Sequence, residues 1–176
     1  MSPKLFESIN EIRTLTQGEY GLPEHYPTPP RSDNLLFYIQ RNHNMNTVVY
    51  EINKHMDGRV NEDYPMHVFW LRYSDNGEIQ ELNYIQNKLA YGYTSRKITN
   101  NTFEFQLVSY DKLKFYIDQS DDGHYAAYTK INDKMSKIDN IYVYVEDFGL
   151  FPDVKYIELY GVQISNNAFN YEKIYI

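Results

Sequence analysis

The stretch MHVFWLRYSDNGEIQELNYIQ, residues 66–86, decides the fold. From Met66 to Tyr73, β-branched and aromatic side chains dominate, which favours a pleated, half-buried strand. Ser74–Gly77 follow, and Asn76-Gly77 supplies the positive φ of a type I′ turn. Glu78–Gln86 then reads as the returning strand. This is a hairpin, and it sets an antiparallel β expectation for the chain around it.

Working outward, LLFYIQ (35–40) and TVVYEIN (47–53) flank RNHNMN (41–46) as a hairpin with a longer loop. Downstream, KLAYGYTSRKI (88–98) continues the sheet past a bend at Gly92. TFEFQLVSY (102–110) alternates in period two, and KLKFYID (112–118) follows it into an acidic turn. YAAYTKI (125–131) is a weaker strand or a short helix, and NDKMSKIDN (132–140) a surface loop or one helical turn. IYVYVED (141–147) and VKYIELYGVQI (154–164) are strands joined by a loop, and YEKIYI (171–176) closes the chain as an edge strand. The expected fold class is all-β: an antiparallel β-sandwich or barrel of about nine or ten strands. A closed, lipocalin-like barrel is the alternative.

Upstream of the sheet the pattern differs. Ser2 and Pro3 form an N-cap and N1 pair, and Leu5, Ile9, Ile12 and Leu15 follow at helical spacing. This predicts one N-terminal helix over 1–16. Residues 17–34 carry Gly18, Gly21, Pro23, Pro27, Pro29 and Pro30 and read as a linker. Residues 35–176 form a single β-rich domain, an ordinary size for one hydrophobic core.

Composition narrows the function classes. The chain of 176 residues has no Cys, so disulfides and thiolate metal sites are excluded. Its net charge is −7, from 17 basic and 24 acidic residues, and the basic residues are scattered singly. A nucleic-acid footprint needs them clustered, so no nucleic-acid partner is expected. No apolar run has the length of a membrane span. The N-terminus lacks an apolar signal core, so the chain reads as cytoplasmic as written, or as an envelope or secreted protein if a leader has been removed. Nineteen Tyr and nine Phe point to strands, and the sharper reading of so many phenols is a tyrosine-lined binding face.

Two Tyr-Ile-Gln triplets, Tyr38-Ile39-Gln40 and Tyr84-Ile85-Gln86, raise the functional question. On strands, Tyr and Gln share one face and Ile takes the other. The ring could pack on a ligand's apolar patch while the amide fixes its hydroxyls. The bland alternative is a half-solvated sheet face. The loop after the first triplet adds Arg41, whose fork could hold a carboxylate or phosphate, and His43, which titrates near neutrality. The candidate ligand-binding set is therefore Tyr38, Gln40, Arg41, His43, Tyr84 and Gln86. The offset between the triplets carries no matching hydrophobic pattern, which argues against an internal repeat.

Other motifs carry less. The five histidines have no metal-ligand spacing, and alternation places His67 beside Phe69 and Leu71. The turn Asp118, Asp121, Asp122, Gly123 lacks the calcium-loop pattern. No metal and no cofactor is expected. Nucleophile and phosphate-loop motifs do not occur. Glu51, Glu78, Glu104, Glu146 and Glu158 could supply paired carboxylates for hydrolysis, with nothing to choose among them. Asn100-Asn101-Thr102 is a formal glycosylation sequon.

Three stretches, LLFYIQRNHNMNTVVYEIN, PMHVFWLRYSDNGEIQELNYIQNKLAYGYT and DVKYIELYGVQISNNAFNYEKIYI, together resemble an uncharacterised bacterial domain-of-unknown-function family. The resemblance spans about residues 34–176. It implies one compact domain and brings no reaction and no site residues. The leading expectation is a non-catalytic binding domain for a small polar ligand or a protein partner. The rivals are a hydrolase with carboxylates or a His at the sheet end, and a structural interaction module.

Overall fold

The computed structural model describes residues 26–42, 44–146 and 153–176. The N-terminal helix read over 1–16, the first part of the linker, His43 and most of the loop at 147–153 lie outside them.

The described chain is all-β, with eleven strands in one curled sheet: β1 (Leu35–Arg41), β2 (Thr47–Ile52), β3 (Met66–Arg72), β4 (Glu78–Glu81), β5 (Tyr93–Thr99), β6 (Thr102–Leu107), β7 (Tyr110–Gln119), β8 (Tyr125–Ile131), β9 (Lys134–Val145), β10 (Val154–Gln163) and β11 (Phe169–Tyr175). Their order is β4-β3-β2-β1-β9-β8-β7-β6-β5, with β10 and β11 attached to β9.

The long strand β9 explains the curl. β10 pairs along it from Ser136 to Val145. β8 pairs with Lys134–Lys137 and β1 with Asn140–Val143. A strand has two edges, and β10 overlaps both of these stretches. β8 and β1 therefore share the other edge, and two arms, β1–β4 and β8–β5, spread from it. They face each other across the core: Phe37 of β1 stacks on Tyr50 at 4.3 Å and approaches Phe105 and Phe115 of the opposite arm at 6.0 and 6.1 Å. Such aromatic contacts add to what apolar burial supplies.

Several expectations are corrected. The β1–β9 pair is parallel, so the sheet is mixed. Residues 132–140 are neither loop nor helical turn: Lys134 onward is the first half of β9, and Asn132 and Asp133, both at positive φ, make the tight turn from β8. Residues 125–131 are strand throughout. The expected turn at Asn76-Gly77 has its positive φ, but a 3₁₀ turn over Tyr73–Asp75 lengthens the loop. β4 stops at Glu81. Residues 84–91 are helical, as one α-turn, α1 (Tyr84–Gln86), running into a π-turn (Asn87–Tyr91). The second triplet is therefore not on a strand. Among the described residues β4 and β5 pair on one side only, so the sheet does not close as a lipocalin-like barrel.

Two glycines are fixed by close approach. A β-carbon on Gly161 would stand 2.5 Å from the Lys137 carbonyl oxygen, beside the irregularity where Asp139 bulges out of register with β10. One on Gly92 would stand 1.8 Å from the Asn87 carbonyl oxygen, where the π-turn folds back onto β5.

Candidate functional site

Register places Tyr38 and Gln40 on the outer face of the curl. Gln40 lies in a row with Thr47 and Leu71 on one side and Tyr142, Glu158 and Lys173 on the other. Tyr38 lies in the next row, between Val49 and Phe69 and then Asn140, Tyr160 and Tyr171. Ile39 faces the inner core, as alternation requires. The outer face is nevertheless not half-solvated. Tyr38 is packed with Val49, Phe69 and Leu71. Gln40 is 1% exposed, and its amide donates to the Pro27 carbonyl at 2.7 Å and the Thr47 hydroxyl at 3.1 Å. The segment from Tyr26 crosses this face, with Tyr26 donating to the Arg41 carbonyl and meeting Tyr142 edge-on at 6.0 Å.

The second pair lies elsewhere. Asn83 accepts from the Gln86 backbone N–H while the Gln86 side chain accepts from the Asn83 N–H, a capping box that starts α1. Gln86 also accepts from Trp70 Nε1 at 3.3 Å. Trp70 belongs to the inner core and Tyr38 to the outer cluster, so the two triplets sit on opposite sides of β1–β3. Tyr84 is exposed and its hydroxyl accepts from Lys88. Arg41 takes the inner face. The five candidate residues that are described, Tyr38, Gln40, Arg41, Tyr84 and Gln86, do not converge on one surface.

Two other arrangements do bring chemistry together. The first is on β9–β11. Glu158 is fully buried, and its Oε2 accepts from the hydroxyls of Tyr160 (3.1 Å) and Tyr171. Its Oε1 has no partner among the described residues. Burial pushes this carboxyl above its ordinary range, opposed by the two phenols and by Lys173. Tyr144 and Tyr156 stack beside it at 4.8 Å, and Lys173 Nζ lies 3.9 Å from the Tyr156 ring centroid. Burial, with Glu158 second, pushes the Tyr156 phenol up to about 12, so it stays a neutral donor.

The second is a cleft of about 300 Å³ where β3 runs on past the end of β4. Its apolar wall is Met66, Val68 and Leu82, and its polar rim includes Asn53, His67, Glu81 and Asn87, with the rings of Tyr64 and Tyr93. His67 Nε2 meets both Glu81 oxygens, at 2.8 and 3.0 Å, and its ring lies 5.0 Å from Phe69, on the face that alternation assigned. The Tyr93 hydroxyl donates to the Met66 carbonyl at 2.7 Å and accepts from its N–H at 2.9 Å. No local pattern in the sequence reveals this cleft, because its walls come from β3, β5 and a helical turn at a position where the sequence predicts strand.

Among the described residues no group of three or more His, Asp or Glu is placed to hold a metal ion. No helix among them is long and apolar enough to cross a membrane. A family model described as "Domain of unknown function (DUF4833)" matches residues 37–173. No curated protein and no solved structure matches the chain.

Proposed function

The chain belongs to the DUF4833 family of unknown function, and from that premise we propose that it is a binding domain for a small, hydroxyl-rich ligand, seated in the cleft beside β3. The cleft is the observation that carries this reading. It is at the small end of ligand-site volumes, with an apolar wall and a few polar groups converging on it. Glu81 and the Asn53 side-chain oxygen, which has no partner among the described residues, are acceptors, Asn87 can donate, and the Tyr64 ring offers an apolar face. A set rich in acceptors suits a partner that supplies hydroxyl donors. The rim also holds the His67–Glu81 pair, in which a carboxylate orients an imidazole. That pair favours a second reading, hydrolysis with His67 as base.

The test is a thermal-shift screen against sugars, polyols and amino acids, repeated on His67→Ala and Asn53→Ala. A ligand that binds only the native state raises Tm. The expected result is a raised Tm in the parent that shrinks at least twofold in both variants. A ligand whose effect is untouched in both would place the site elsewhere. Turnover of that ligand by the parent and not by His67→Ala would move the reading to hydrolysis.

A further inference from the structure

Arg41 and Arg72 end the same row of the curl's inner face. Gln40, Thr47 and Leu71 are register partners on the outer face. One residue further on, Arg41 and Arg72 therefore point inward, to either side of the end of β2. Neighbouring strands stand about 4.8 Å apart, so two strands separate the arginines by roughly 10 Å, within joint reach of two long side chains. The inner face just below them is Trp70. The Arg72 guanidinium lies 4.6 Å from the Trp70 ring centroid, and its Nε donates to Gln80 at 2.7 Å. Tyr91 packs edge-on against Trp70 at 5.1 Å, its carbonyl held by the Tyr50 hydroxyl. Both guanidinium charges act on the Tyr91 hydroxyl and oppose the upward push of its burial.

What distinguishes the two is the lack of a carboxylate. Arg31, Arg59 and Arg96 each pair with an Asp or Glu. Arg41 and Arg72 pair with none among the described residues, although acidic groups outnumber basic ones and Glu78 is the register partner of Arg72. Asp75, in the turn after β3, forms no ion pair with either. Arg41 Nε is buried without a partner among the described residues. Two half-buried guanidinium groups side by side repel each other, and a buried donor left unmade costs free energy. One small anion answers both, because a guanidinium fork matches the two oxygens of a carboxylate or phosphate.

We propose that Arg41 and Arg72, with the Tyr91 hydroxyl, form a binding site for a small oxyanion, a carboxylate or phosphate group, where β1 and β3 end. The site stands at the opposite end of β3 from the Met66 cleft, roughly 20 Å away at about 3.3 Å per residue, and does not depend on that cleft's function.

The experiment is thermal denaturation of the full chain with inorganic phosphate, and separately succinate, against sodium chloride at equal ionic strength. The expected result is a higher Tm in one of the two anions than in chloride, with at least half of that gain lost in Arg41→Gln and in Arg72→Gln. Phosphate alone raising Tm assigns a phosphate group, and succinate alone a carboxylate. No gain over chloride in either anion, or a gain kept in the double variant, overturns the proposal. Should the variants fail to fold, ¹⁵N spectra of the arginine Nε–H groups in the parent decide. A saturable shift of the Arg41 signal with either anion supports the site, and no shift overturns it.

Discussion

Glu158 holds a carboxyl group that is fully buried, and among the described residues only one of its two oxygens has a hydrogen-bond partner. Desolvation raises its pKa, with Tyr171, Tyr160 and Lys173 opposing. A folded-state value above the unfolded one, about 4.3, means the native state keeps a proton that the unfolded chain has lost. Stability from this group is fully present below the unfolded value and is lost as pH rises through the folded one. Glu158→Gln, which cannot ionise and keeps an acceptor for the two phenols, should therefore melt about 2–4 °C above the parent at pH 8. The gain should vanish near pH 4. Scanning calorimetry at both pH values checks this, and an equal difference at both would mean that ionisation of Glu158 plays no part. Nothing in the linear chain marked Glu158 out from Glu51 or Glu104. Its partner Tyr171 comes from another strand, and only register brings the two together.

Identical triplets take different states because their flanks differ. Tyr38-Ile39-Gln40 sits within a run that both neighbours pair, so alternation governs it. Tyr84-Ile85-Gln86 follows Asn83, and an Asn three residues before a Gln is a helix-start signature. That signal is present in EIQELNYIQ, where the Asn76-Gly77 turn before it predicts a returning strand. β6 is legible because it buries one regular face, and β1, β2 and β3 because β-branched and aromatic residues run through them, although both of their faces are largely buried. The first half of β9 is not, since its polar residues Ser136, Asp139 and Asn140 are buried by contacts from β1, β8 and β10 that no local pattern reveals. Removing the cap tests the element. Asn83→Ala should cost about 1 kcal/mol and speed amide exchange over residues 86–91 while leaving β1 and β2 unchanged. Unaltered exchange across that segment would mean that Trp70 and Tyr50, which hold Gln86 and the Tyr91 carbonyl, fix it without the cap.

At the scale of the whole molecule, the curled sheet leaves two arms whose outer strands, β4 and β5, do not pair with each other. An open curl needs something to hold its mouth. The helical segment connects the two outer strands, Lys97 of β5 pairs with Glu62 ahead of β3, and one phenol reaches across: the Tyr93 hydroxyl, on β5, both donates to and accepts from the backbone of Met66, on β3. One oxygen thus does across the gap what a peptide pair does within a ladder. Burial, aided by Tyr64 and opposed by the Met66 hydrogen bond, pushes this phenol up to about 12, so it remains a neutral donor across the physiological range. Tyr93→Phe keeps the ring against Phe105 and removes only the oxygen. It leaves the Met66 N–H and C=O without that partner at a part-buried site, which should lower stability by about 1–3 kcal/mol. The effect should appear in urea as a lower midpoint with unchanged slope, because the surface exposed on unfolding is the same. Since Tyr93 also lines the cleft, a ligand that binds there should lose affinity in this variant together with stability. A variant as stable as the parent would show that packing of Phe37, Phe105 and Phe115 across the core holds the arms together, and that the phenol adds nothing to it.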